Sequence, residues 1–225
     1  MSAGVQAEQI TYRDELARKS IHMLSLCIPI IYLRVPHAVG VTVLVCMTLV
    51  SLGIDIARHY HAPTRELLMR LVGSLLRQHE QGNNRLTLTG ATWVLIAATL
   101  TLGGFPPVVG VTAFSVLILS DTFAALVGRR YGVRRFLDKS LIGTTTFVVV
   151  AWIVTVVVGS IYELPWTFWL AGAIGSVCAG LVEASAVRTG LDDNIAVPFS
   201  MAIVMMIVEG VLSTIGQPAF SHLLR

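Results

Sequence analysis

The chain has 225 residues, 55% of them hydrophobic and 13% charged, with a net charge of +3 and a mean hydropathy of +0.76. A soluble domain carries about 25% charged residues, so this composition excludes an ordinary water-soluble globule. It points to a membrane-embedded bundle forming a single domain over residues 1–225. The basic residues lie beside apolar runs, which suits phospholipid headgroups or a phosphorylated ligand and not a DNA duplex, and no nucleic-acid partner is expected.

Seven apolar stretches follow in chain order: Ser20–Leu33, Ala38–Ile56, Leu88–Gly103, Pro107–Val127, Gly143–Ile161, Trp166–Glu183 and Ile195–Ile215. A helix that crosses a bilayer needs about 20 apolar residues, so the first and third runs are short and borrow flanking turns. The expected fold is all-α, a polytopic bundle of about seven transmembrane helices. The N-terminal segment is polar and mixed in charge through Lys19, unlike a cleaved signal peptide. Between the second and third runs, His59–Arg85 is polar. Within it Leu67, Leu68, Leu71, Val72, Leu75 and Leu76 recur at helical spacing against Arg65, Arg70, Arg77 and Gln78, which predicts an amphipathic helix on the membrane surface.

Placing the N-terminus in the cytoplasm puts 14 of the 16 lysines and arginines on inner segments, leaving only Arg34 and Arg225 outside. That asymmetry sets the expected orientation. In the sixth run Gly172, Ser176, Gly180 and Ala184 form a small-residue ridge for close helix packing. Cys27, Cys46 and Cys178 fall inside apolar runs at unrelated spacings, forming neither a metal motif nor a disulfide framework.

Ionisable groups inside a membrane are costly and ask for a reason. Asp121 sits near the inner end of the fourth run, on one helical face with Ala125 and Gly128, where small side chains leave room for a ligand or another backbone. A structural ion pair to Arg18 or Arg58 is the alternative. The loop that follows holds Arg129, Arg130, Gly132, Arg134, Arg135, Lys139 and Ser140, then Gly143 and Thr144. Arginine donors, glycine backbone and a helix start together make a polyphosphate cradle, although Arg134 and Arg135 are equally explained as anchors of an inner loop. The spacing is not that of a Walker A loop, which excludes a P-loop fold. At the start of the first run Arg18 and His22 stack one turn apart beside Lys19, at headgroup level, where they can grip phosphate. Glu183, Asp192, Asp193 and Asn194 precede the seventh run. Asp193 or Asn194 can cap that helix, and the same oxygens match the ligation Mg²⁺ prefers beside substrate phosphates. Asp55 and Arg58 read as a local pair, and Glu209 has no evident partner.

These motifs in order, Glu15-Leu-x-Arg18-Lys19-x-x-His22, Ser120-Asp121-x-x-Ala-Ala-x-x-Gly128-Arg129-x-x-Gly132, Lys139-Ser140-x-x-Gly143-Thr144, and Glu183 with Asp192-Asp193-Asn194 and Pro198, resemble the CTP-dependent lipid-alcohol kinases. That group includes dolichol kinase, phytol kinase and the CTP-dependent diacylglycerol kinase. Leu88-Thr89-Gly90 is similar to the group's pattern before the third span. The resemblance implies transfer of the CTP γ-phosphate to a membrane lipid alcohol with Mg²⁺ as cofactor. It implies catalytic roles for Asp121, Lys139, Arg18, Lys19 and His22. It places Gly128, Arg129, Arg130, Gly132, Ser140, Gly143, Thr144 and Asn194 around the nucleotide, and Asp121, Glu183, Asp192 and Asp193 around the metal. Phosphatidate cytidylyltransferase shares the Asp…Gly-Arg-x-x-Gly segment, but its Ser-Pro-Lys-Lys-Thr stretch corresponds here to Asp138-Lys139-Ser140-Leu141, and its His-Gly-Gly…Asp-Arg-x-x-Asp signature is missing. A lipid or ion transporter would carry its charges at mid-membrane, whereas here they gather at one edge. Small size without a retention signal favours a prokaryotic plasma membrane. The acceptor alcohol and the state of self-association are left open.

Overall fold

A computed structural model describes residues 12–73, 87–189 and 192–223. The side chain of Glu15, the second half of the expected surface helix with Arg77, Gln78 and Arg85, and Leu191 and Arg225 lie outside the described residues. The structure is an all-α bundle of α1 (Tyr12–Leu24), α2 (Cys27–Tyr32), α3 (His37–Tyr60), α4 (Ala62–Val72), α5 (Gly90–Gly104), α6 (Pro107–Tyr131), α7 (Leu141–Ile161), α8 (Trp166–Ala184), α9 (Ala186–Thr189) and α10 (Asp193–Thr214). Two two-residue strands, β1 (Arg135–Phe136) and β2 (Lys139–Ser140), join α6 to α7 as an antiparallel hairpin.

Five of these helices, α3, α6, α7, α8 and α10, are long and apolar enough to cross a bilayer, and the chain is a multi-pass integral membrane protein. The two runs that were short in sequence behave differently. The third becomes α5, 15 residues long, about 22 Å of helix against a hydrocarbon core of about 30 Å. The first is divided. Pro29 has no N–H to give the Ser25 carbonyl, which instead accepts from Ile28 N at 3.0 Å, and the helix breaks between α1 and α2.

Helix starts are marked chemically. Pro36, Pro106 and Pro165 precede α3, α6 and α8. Side-chain oxygens of Thr89, Ser140 and Asp192 cap α5, α7 and α10. The cap of α10 is thus Asp192, and neither Asp193 nor Asn194: its Oδ1 accepts from Asn194 N at 3.0 Å and Asn194 Nδ2 at 2.7 Å.

Helix α6 runs through the middle of the bundle with Phe114, Val116 and Ile118 fully buried. Helix α8 packs its ridge of small residues on α7, where a Cβ on Gly172 would strike Thr155 and one on Gly180 would meet Val148 Cγ2 at 2.6 Å. Its other face receives α10, with Met201 Sδ 2.7 Å from where a Gly175 Cβ would stand. Asp55 and Arg58 pair at 3.0 Å as read from the sequence, and they also fasten α3 to α5. Asp55 Oδ2 accepts from Thr89 N (2.8 Å) and Thr92 Oγ1 (2.6 Å), while Arg58 donates to Thr87 O.

Glu209 has a clear role. Its Oε1 accepts from Phe220 N at 2.6 Å and Ser221 N at 2.7 Å, and so holds the C-terminal segment folded back on the bundle. Phe220 is fully buried against Phe168, edge to face.

Candidate active site

The alternation of helices brings the C-terminal ends of α3, α6 and α8 to one end of the bundle, together with the starts of α5, α7 and α10. Asp121 lies on α6 toward that end. Helix α1 packs beside it, and Lys19 Nζ donates to the Asp121 carboxylate and lies 3.5 Å from its backbone carbonyl. His22 Nε2 is 3.5 Å from the same Oδ2. The carboxylate therefore meets an ion pair, but its partner is Lys19 and not the Arg18 or Arg58 weighed from sequence. One helical turn presents Lys19 and His22 together, as their spacing predicted. Arg18 shares that turn and is half-buried.

Near the same end the hairpin carries Lys139, whose Nζ lies 2.9 Å from Glu183 Oε1 at the end of α8 and which is in electrostatic reach of Asp121. Glu183 is buried, and among the described residues its Oε2 has no hydrogen-bond partner. Burial alone would depress the Lys139 ammonium. Glu183 outweighs it through charge and a hydrogen bond, with Asp193 and Asp121 adding to the effect, so the pKa is held above its ordinary value. Lys139 is consequently a permanent cation at neutral pH, suited to neutralising an anion and unsuited to accepting a proton.

Between α6, α7 and the hairpin opens a cavity of about 490 Å³, lined among others by Ala125, Gly128, Arg129, Arg134, Arg135 and Lys139. Arg134 and Arg135, equally explained as loop anchors, thus face a cavity with two further cations. Arg130 does not line it and stacks on the Tyr131 ring at 5.4 Å. Gly128, Gly132 and Gly143 are glycine for a packing reason as well. A Cβ on Gly132 would strike the Gly128 carbonyl and lie 2.6 Å from Ser140 Cβ, and one on Gly128 would meet Gly143 Cα at 3.2 Å. Ser140 Oγ accepts from Gly143 N at 3.1 Å, so the capped start of α7, with its positive dipole end, opens beside the cavity. Thr144 is buried, and its hydroxyl has no partner among the described residues. Asn194 and Asp192 are committed to each other at the cap of α10.

Among the described residues no three His, Cys, Asp or Glu side chains converge to hold a metal by themselves. A nucleotide-bound Mg²⁺ needs only one or two carboxylates. Among the described residues Glu183 Oε2, which has no hydrogen-bond partner there, and Asp193, in electrostatic reach of the same lysine, are the carboxylates whose chemistry fits such an ion.

Sequence reasoning gave Asp138 no role and used Arg188 only in counting charge. The structure joins them: Arg188 Nε meets Asp138 Oδ1 at 3.0 Å, and Arg188 N donates to Oδ2 at 3.1 Å. Neither residue belongs to a spacing rule, and the contact spans 50 positions, so no local signal announced it.

Over 191 residues, 84% of its length, the chain is 28% identical to an uncharacterized protein of Rickettsia prowazekii, covering 92% of that protein. It is 33% identical over 126 residues to a phytol kinase of Synechocystis, a match that spans 51% of this chain and 52% of the kinase. Half of the chain is thus similar to half of that phytol kinase. No family model matches the chain, and no solved structure matches it.

Proposed function

We propose that the protein is a kinase that transfers the γ-phosphate of CTP, with Mg²⁺, to the hydroxyl of a membrane lipid alcohol at the cytoplasmic face. The acceptor is a polyprenol, a phytol-like isoprenoid alcohol or diacylglycerol. The observation that carries the reading is the convergence of two lysine–carboxylate pairs, Lys19–Asp121 and Lys139–Glu183, at one end of the bundle, within electrostatic reach of each other and next to a cavity lined by arginines. The partial match to a phytol kinase supports the lipid-alcohol acceptor. The choice of CTP follows the sequence resemblance to kinases that use it.

Phosphoryl transfer asks little covalent chemistry of a protein. It needs positioning and neutralisation of charge on the transferring group. In this reading Lys139, Arg129 and the start of α7 hold the nucleotide phosphates. Glu183, with Asp193, would hold the metal, which would supply charge neutralisation for the phosphates. Asp121, fixed by Lys19 and His22, orients the acceptor hydroxyl and takes its proton as the oxygen bonds to the γ-phosphorus. The bond from that phosphorus to the bridging oxygen breaks, and CDP leaves. Arg18 adds positive charge at the same edge.

The test is an assay of purified protein with γ-labelled CTP or ATP, Mg²⁺ and a panel of lipid alcohols. A labelled lipid monophosphate and released CDP are expected. Release of pyrophosphate with cytidine left on the lipid would replace the kinase by a cytidylyltransferase, and no nucleotide-dependent lipid product from any acceptor would sink both.

A further inference from the structure

Lys139 reaches Glu183 from a hairpin only two residues wide on each strand, and so short a hairpin has little stability of its own. Its turn is also conformationally costly. Leu137 has φ 53°, in the left-handed region that a branched side chain rarely enters. Such a conformation persists only where surrounding contacts over-determine it. Those contacts are found on one residue. Asp138 receives both Arg188 N and Arg188 Nε on its two carboxylate oxygens, and its own N–H donates to Ala184 O at 3.0 Å. Three hydrogen bonds thus fasten the turn to the junction of α8 and α9, immediately before the residue that carries the ammonium.

We propose that Asp138 and Arg188 form a latch that docks the hairpin on the end of α8 and so positions Lys139 at the site. Both are positioning residues and need not touch the substrate. The consequence for turnover rests on the kinase reading, whereas the consequence for Lys139 does not. The geometry offers a competing role. Asp138 lines the cavity, and in that competing role Arg188 serves only to mask a negative charge that would repel phosphate. The two roles differ in sign. Under the latch, Asp138→Asn and Arg188→Gln both free Lys139. Under charge masking, Arg188→Gln weakens anion binding and Asp138→Asn strengthens it.

Two measurements on the full-length protein in detergent separate these outcomes. The first follows acylation of Lys139 by an amine-modifying reagent, read by mass spectrometry. The latch predicts slow modification in the native protein and modification about fivefold faster in each single variant, the population change expected from losing a partly exposed ion pair with its backbone contact. Asp138→Glu, or the exchange of Asp138→Arg with Arg188→Asp, should recover part of the protection, which keeps the test open if a single variant folds poorly. Unchanged Lys139 reactivity in Asp138→Asn and Arg188→Gln would overturn the latch, whatever the protein's activity. The second measurement is the KM for CTP, expected to rise about fivefold in both variants with kcat nearly constant, whereas loss of folded protein would lower kcat alone. Opposite changes in KM would overturn the latch in favour of masking. If native protein transfers phosphate from no donor, the kinase reading fails and the acylation result still decides the latch.

Discussion

Lys139 and Glu183 meet at 2.9 Å, yet the two side chains are unequally sheltered: 34% of the lysine is exposed and only 5% of the glutamate. Removal of either partner therefore has a different cost. Lys139→Met strands a buried carboxylate, which costs about 1–3 kcal/mol. Glu183→Gln leaves a lysine that can still reach water, costing about 0.2–1 kcal/mol. Thermal unfolding in detergent should rank the variants in that order. Equal losses would mean that the carboxylate is protonated or finds another donor.

Asp121→Asn keeps the shape of the side chain and removes the charge to which Lys19 and His22 are directed. Turnover should fall by about 10²–10³-fold, the usual cost of losing a charge contact made in the transition state. The variant should still insert and elute as native protein. Lys139→Ala and Arg18→Ala should also lose most of their turnover. Near-normal rates in Asp121→Asn would remove this carboxylate from the chemistry.

The pKa of Lys139 is raised in the folded protein, chiefly by Glu183 against the opposing effect of burial. A group with a raised folded pKa contributes its stability fully below the unfolded value, about 10.4, and loses it as pH climbs through the higher folded one. Between about pH 6 and 9 the Lys139 ammonium should thus add no pH dependence to stability. Lys139→Arg should leave the activity profile over that range unchanged in shape. An alkaline limb near pH 8 that moves in Lys139→Arg would show the lysine titrating there and would contradict its role as a fixed cation.

Much of this site was legible because its residues recur at helical spacing or in short runs. Lys19 and His22 lie one turn apart and both reach Asp121. Gly128 and Gly132 lie one turn apart and both close on Ser140. The helices followed from apolar runs, and the break of the first run follows from Pro29 once the missing N–H is considered. What stayed hidden depends on contacts between distant segments: Asp138 with Arg188, Glu209 with the amides of Phe220 and Ser221, and Asp55 with Thr89 and Thr92. In each, a carboxylate satisfies backbone or hydroxyl donors that the sequence gives no reason to single out. Orientation is a third case. It depends on where arginines lie relative to a bilayer, a property of the surrounding solvent that helix packing does not encode.

Gly132 should tolerate no side chain. A Cβ there would collide with the Gly128 carbonyl and stand 2.6 Å from Ser140 Cβ, so α6 and the start of α7 would have to part. Overpacking of this kind costs about 1–3 kcal/mol. Gly132→Ala should therefore lower the unfolding temperature and widen the cavity mouth and, under the proposed kinase reading, raise the KM for CTP. By contrast Gly53→Ala, where a Cβ meets nothing within 4 Å, should leave both unchanged and serve as the control.

The gathering of cations at one end of the bundle leads to a prediction about sidedness. Val133 beside the cavity is 93% exposed, and Glu163 is exposed in the turn between α7 and α8 at the opposite end. Arginines retained on the inner side of a membrane fix the orientation of short loops, and Arg129, Arg130, Arg134 and Arg135 flank Val133 whereas none flanks Glu163. In a background with Cys27, Cys46 and Cys178 replaced by alanine, Val133→Cys should resist an impermeant maleimide in intact cells and react after lysis. Glu163→Cys should react in intact cells. Reaction of Val133→Cys from outside, with Glu163→Cys protected, would invert the protein in the membrane and place the proposed site away from the cytoplasmic supply of nucleotide, which the kinase reading could not survive.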